Sequence, residues 1–247
     1  MSHWLSARIA HRHEWASGLV SLRLDQEIEP FEPGQWVNIA LDIGGERVRR
    51  AYSLASAPGE PPEFLVMAVD SGRFSPRLAA LEVGDALQIE RKPQGYFTLR
   101  WVPDAYDLWL IASGTGVAPF VSMVRGGEAF RRFRSVVLVH GVRELAQLAY
   151  RQELFLHSQA HGGQLIQIPV VSRQPDALNT LHGRVTTALA RGELETASGL
   201  ELSAERSHVM LCGNPAMIEE MTTLLTARGL KKHRQRAPGQ ISSESYW

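Results

Sequence analysis

The feature that most restricts the fold is a change of texture near Trp101. From Val20 to about Arg100 the chain offers short β-rich runs punctuated by Gly and Pro: Val20 to Leu24, Gln35 to Leu41, Arg49 to Leu54, Glu63 to Val69 and Ala86 to Lys92. Several such strands at close spacing predict a small barrel or sandwich. Beyond Trp101, buried-type strands alternate with helical patterns: Leu108 to Ala112, Val136 to His140, Gln164 to Ser172 and His208 to Cys212. That alternation predicts a parallel sheet with helices on its faces. The boundary falls near Arg100, and 247 residues suffice for two units that each bury a core.

Composition narrows the function. Lys plus Arg number 26 and Asp plus Glu number 26, so no overall field favours nucleic acid or an anionic membrane as the main partner. The single cysteine, Cys212, excludes an intramolecular disulfide and an iron–sulfur cluster held by several thiolates. Redox chemistry would need an organic cofactor or a partner's centre. The start, MSHWLSARIAHRHEW, has charges and histidines where a signal peptide has its apolar stretch, and no segment approaches the roughly 20 apolar residues that span a bilayer. The expectation is a soluble, cytoplasmic protein.

Several segments place chemistry at element ends. In Arg50-Ala51-Tyr52-Ser53, strand alternation sets Arg50 and Tyr52 on one side and Ala51 and Ser53 on the other. One strand would then offer a cation, an aromatic face and a hydroxyl; an exposed arginine beside a core tyrosine is the plainer alternative. In Gly72-Arg73-Phe74-Ser75-Pro76-Arg77-Leu78, Ser and Pro suit an N-cap and first turn, either as a simple cap or as a phosphate-binding helix start. Gly114-Thr115-Gly116-Val117-Ala118-Pro119 follows a strand and opens a helix, as a pyrophosphate loop or as a structural turn. Cys212-Gly213-Asn214-Pro215-Ala216-Met217 does the same, its cysteine serving either as packing or as part of a site. Arg143, Arg173 and Arg184 stand at or near strand ends, where ligands of open sheets bind and where guanidinium forks suit a phosphate monoester; solvated arginines are the alternative. The chain finishes in Glu244-Ser245-Tyr246-Trp247, an aromatic end that would gain order by docking on a planar ring or on the core. The pairs His11/His13 and His157/His161 lack further ligands, and no metal is expected.

In this order the segments resemble the ferredoxin–NADP reductase family, and the Glu-x-Tyr-Trp ending resembles its bacterial, enterobacterial-like members. The resemblance covers nearly the whole chain. It implies a two-domain fold: an antiparallel β-barrel FAD-binding domain (residues 1–100), then an α/β parallel-sheet NADP-binding domain (residues 101–247) whose tail returns to the flavin. It implies FAD bound by Arg50, Ala51, Tyr52, Ser53, Arg73, Phe74, Ser75, Tyr246 and Trp247, with Thr115 nearby. It implies NADP(H) bound by Gly114, Gly116, Asn214, Pro215 and Ala216, with Arg143, Ser172, Arg173 and Arg184 on the 2′-phosphate. Ser53, Cys212 and Glu244 become the catalytic set, Glu244 for proton supply or flavin tuning. The activity implied is electron transfer between NADPH and flavodoxin or ferredoxin by a monomer. The basic stretches Arg131 to Arg134 and Lys231 to Arg236 either attract such an acidic carrier or are plain solvated charge. Two other readings share the scaffold: the flavin reductase component of an oxygenase, and a non-catalytic flavin- or nucleotide-binding regulatory subunit.

Overall fold

The computed structural model describes residues 3–245. Its first sheet is antiparallel and has the order β4-β3-β6-β1-β2-β5, from β1 (Trp4–Ala16), β2 (Leu19–Leu24), β3 (Trp36–Ile43), β4 (Glu46–Ser53), β5 (Glu63–Met67) and β6 (Ala86–Glu90). Gly44 and Gly45 join β3 to β4 at φ 68° and 78°, and the pair Ile43–Glu46 closes the ladder behind them. Two positive φ values in a two-residue loop match the twist of the strands they connect. The edge strands approach each other where the Ala55 N–H donates to the Glu63 carbonyl, which curls the sheet into a half-barrel. Its core lies inside the curl, around Ile39, Leu54, Phe64, Leu78 and Ile89.

The second sheet is parallel, with the order β10-β9-β8-β7-β11-β12, from β7 (Asp107–Ser113), β8 (Ser135–Val142), β9 (Leu165–Val171), β10 (Leu181–His182), β11 (Ser207–Gly213) and β12 (Ile241–Ser245). Alternation along β7 sends Leu108, Leu110 and Ala112 to one face and Trp109 and Ile111 to the other. The first face is covered by α2 (Ala118–Gly126), α3 (Glu128–Arg132) and α4 (Arg151–Ala160). The second is covered by α5 (Val185–Ala190), α6 (Glu193–Ser198) and α7 (Pro215–Ala227). Strands buried on both faces read as continuous apolar runs, which is why β7, β8 and β11 were visible in the sequence.

Three strands fall outside those runs. β1 buries only Ala7 and Ile9 and leaves His11 and His13 exposed, so pairing with β2 and β6 defines it. β10 has two residues, and β12 buries Ile241 alone. All three owe their conformation to a neighbour's backbone.

The two units share one apolar core, in which Leu19, Leu65 and Phe97 meet Leu110, Phe120 and Val124. A polar cluster pins the same boundary. Glu63 of β5 takes Arg125 of α2 at 3.3 Å, Arg23 at 3.0 Å and the Tyr150 hydroxyl at 2.8 Å. Burial would raise the Glu63 carboxyl, but Arg125, Tyr150 and Arg23 outweigh it and hold the group below its ordinary range. Arg132 belongs to this boundary too, donating to the carbonyls of Leu99 and Val102. The stretch Arg131 to Arg134 is therefore not a uniform solvated patch: Arg131 and Arg134 are exposed, Arg132 is half-buried and Phe133 is buried.

Candidate active site

In the second sheet β8, β9 and β10 lie on one side of β7, and β11 and β12 on the other. The crevice between the carboxyl ends of β7 and β11 is therefore the switch point at which open parallel sheets bind ligands. Glycines hold its two turns together. After β7 comes a 3₁₀ turn, Gly114–Val117, in which a Cβ on Gly116 would lie 2.4 Å from the Cys212 carbonyl oxygen. At the last residue of β11, Gly213 has φ 131°, and a Cβ there would lie 2.4 Å from Ser113 Oγ. Ser113 Oγ also accepts the Asn214 N–H at 3.0 Å. Only glycine permits these approaches, and they hold the half-buried Thr115 beside the end of β11.

Cys212 is fully buried and stands in register with Ala112 of β7 and Glu244 of β12. The Ser53 hydroxyl, at the end of β4, donates to Glu244 Oε1 at 3.4 Å. Residues from β4, β11 and β12 thus converge on the switch point. Burial pushes the Glu244 carboxyl up to about 7, with the Ser53 hydrogen bond opposing the rise. A carboxyl held there exchanges a proton readily near neutrality.

The residues around this point divide into two sets. On the first sheet, β4 is an edge strand, so one side of its backbone pairs with no other strand among the described residues. Arg50 is exposed and, among the described residues, donates to the carbonyl of Arg49 alone; Ala51 beside it is exposed. Tyr52 is half-buried, its ring 6.1 Å from Phe74 and 6.4 Å from Phe64. Burial pushes its phenol up to about 12, with Arg50 opposing, so the hydroxyl keeps its proton. A spare cation, a partly open ring and an open backbone edge fit a planar ring system bearing phosphate.

Phe74, Ser75 and Arg73 depart from the local expectation. The cap position of α1 (Ser75–Ala79) is Phe74, while Ser75 is the first helical residue and its Oγ accepts the Val69 N–H at 3.1 Å. That tertiary hydrogen bond replaces the N-cap read from the sequence. Arg73 lies at the surface 3.4 Å from Glu46.

On the second sheet, Arg143 follows β8, Ser172 and Arg173 follow β9, and Arg184 precedes α5. The Arg173 N–H donates to the Arg143 carbonyl at 2.8 Å, and Ser172 Oγ donates to the Val142 carbonyl at 3.1 Å. All three guanidinium groups are exposed, and among the described residues none has an acidic partner. Unneutralised guanidinium groups at strand ends fit a phosphate monoester. At the head of α7, Asn214 Oδ1 caps the N–H groups of Ala216 and Met217, with Pro215 in the first turn. Those donors are used locally, so this turn offers a wall more than a nest of free N–H groups. Tyr246 and Trp247 lie outside the described residues.

The comparisons agree with this geometry. An oxidoreductase FAD-binding domain model matches residues 11–99, and an oxidoreductase NAD-binding domain model matches residues 110–223. The flavodoxin/ferredoxin–NADP reductases of Shigella flexneri and Escherichia coli are 40% and 39% identical to this chain over 249 residues, covering 100% of each chain. The chain belongs to the flavodoxin/ferredoxin–NADP reductase family. Among solved structures, a ferredoxin NADP+ reductase from Neisseria gonorrhoeae with bound FAD and NADP superposes with a TM-score of 0.92 at 26% identity, covering 100% of both chains. This reductase is thus an oxidoreductase with an FAD-binding half-barrel and a dinucleotide-binding parallel sheet.

Two features, one in the site and one at the boundary of the units, escaped the sequence. Ser113 is one, although a serine closing a strand before Gly-Thr-Gly was a readable signal. The other is the Glu63–Arg125–Tyr150 cluster, whose members lie 62 and 87 residues apart with no local pattern to join them.

Proposed function

We propose that this reductase transfers electrons between NADPH and a one-electron carrier protein, flavodoxin or ferredoxin, through FAD, and that it works as a monomer. The observation that carries the reading is the meeting of Ser53, Cys212 and Glu244 at the switch point. The carrier class follows the names of the relatives. Residues 1–100 form the flavin unit in this reading, and residues 101–247 the nucleotide unit.

Bound FAD supplies acceptance of a hydride and its release as single electrons. Arg50 neutralises the FAD phosphates, with Arg73, Phe74 and Ser75 at the neighbouring turn, and Tyr52 packs on the flavin ring beside the small Ala51. Ser53 hydrogen-bonds the flavin near its hydride-accepting nitrogen. Glu244 orients that hydroxyl and holds a proton at its own carboxyl, raised to about 7 by burial. Gly114, Thr115 and Gly116 admit the nucleotide pyrophosphate, while Asn214, Pro215 and Ala216 form the facing wall. Cys212 bounds the nicotinamide pocket and helps exclude water from it.

Arg143, Arg173 and Arg184, with Ser172, read the 2′-phosphate and set the preference for NADPH over NADH. Replacing both Arg143 and Arg173 by Ala removes charge-assisted hydrogen bonds and is expected to raise KM for NADPH by at least about tenfold. KM for NADH should move little. Steady-state kinetics with both nucleotides decides the matter, since equal effects on the two would remove these arginines from phosphate recognition.

A further inference from the structure

Away from the switch point, the second unit contains a cavity of about 560 Å³ beneath α4. Leu138 and His140 of β8, Gln167 and Ile168 of β9, Phe155 of α4 and Trp15 of β1 line it. The volume falls within the roughly 300–1,000 Å³ typical of small-molecule sites. Phe155 is 54% exposed, a large apolar side chain left in water beside an apolar hollow.

The cavity's polar lining comprises the buried His140, 6% exposed, the buried Trp15 Nε1, which has no partner among the described residues, the half-buried Gln167, and the exposed Arg151, Gln152 and Asn179 at its rim. His140 Nε2 lies 2.9 Å from the Gly114 carbonyl oxygen. A carbonyl only accepts, so Nε2 carries the proton. Burial pulls the imidazolium down to about 4, against the Gly114 hydrogen bond, so the ring is neutral at physiological pH. Nδ1 is then a lone-pair acceptor, and no donor among the described residues meets it. An uncharged acceptor beside the buried Leu138, Leu154 and Ile168 fits a donor on an uncharged ligand, whereas the arginines at the strand ends fit an anion.

We propose that this cavity binds a small, neutral, planar aromatic molecule carrying one N–H or O–H donor, with its ring against Trp15, Leu138 and Phe155 and its donor on His140 Nδ1. His140 also holds Gly114, the first residue of the turn that carries Thr115, so the cavity and the nucleotide turn share a side chain.

The test is isothermal titration of the FAD-loaded protein with indole and with N-methylindole, which keeps the rings and blocks the donor. Indole should bind one site with a dissociation constant on the order of 0.5 mM. N-methylindole should bind about tenfold more weakly, the loss of one hydrogen bond to a buried acceptor. Phe155→Ala, at the surface, should weaken indole by a similar factor. His140→Phe should bring indole down to the level of N-methylindole. If His140→Phe fails to fold, the two probes and Phe155→Ala still decide. Absence of binding, equal affinity for the two probes, an unchanged Phe155→Ala titration, or displacement of indole by saturating NADP+ would each overturn the proposal.

Discussion

Glu244 is where a single residue connects stability, pH and turnover. Its carboxyl, ordinarily near 4.5, is pushed up to about 7 by burial. A proton held more tightly in the folded chain than in the unfolded one means that stability falls as pH rises, beginning near 4.5 and complete above about 7. Glu244→Gln removes that cost. Thermal midpoints should therefore be higher in the variant than in the parent above pH 7, and the difference should vanish below about pH 4.5. A variant destabilised at every pH would assign Glu244 a packing role instead. Single residues were also the scale at which the site was most legible. Ser53, Cys212 and Glu244 each stood in a recognisable segment, because glycine, proline and aromatic residues near strand ends leave a local mark. Their approach to one another was not written locally, since the Ser53–Glu244 hydrogen bond spans 191 positions. It came first from the order of the segments and their family resemblance, and then from the register of β12 on β11.

Elements were legible in proportion to the apolar surface they bury. β7, β8 and β11 are covered on both faces and read clearly. β1 is 13 residues long, yet His11, His13 and Arg8 are exposed and it went unread. β12 follows its neighbour and carries almost no burial signal of its own. The turns separate by the same logic. Gly213→Ala places a Cβ 2.4 Å from Ser113 Oγ and 2.6 Å from the Ser113 carbonyl oxygen, at φ 131°. It should cost at least about 3 kcal/mol. Gly44→Ala, at φ 68° with open space around it, should cost only about 1–2 kcal/mol. Urea denaturation of both variants checks the contrast, and equal costs would mean that the two turns after β7 and β11 are not held by contact between their backbones.

At the scale of the whole molecule, the relation between the two units rests on the shared apolar core and on Glu63. Glu63→Ala leaves the Arg125 guanidinium, 11% exposed, and the Tyr150 hydroxyl without their common acceptor. Arg125 keeps Glu153 at 2.6 Å and the Ala55 carbonyl at 2.8 Å, so the loss should cost about 1–3 kcal/mol, the range for a buried polar group left unpaired. Glu63→Gln keeps an acceptor for Tyr150 and should cost less; denaturant midpoints that rank the two the other way would contradict the account of this boundary. The central claim, that the two units together form an NADPH-reducible flavoprotein, is tested most directly by the visible absorption spectrum. The FAD-supplemented protein, freed of unbound flavin, is recorded anaerobically before and after one equivalent of NADPH, with NADH in parallel. The account predicts a yellow protein that NADPH bleaches much faster than NADH does. A colourless protein, or a yellow one indifferent to both nucleotides, would contradict it.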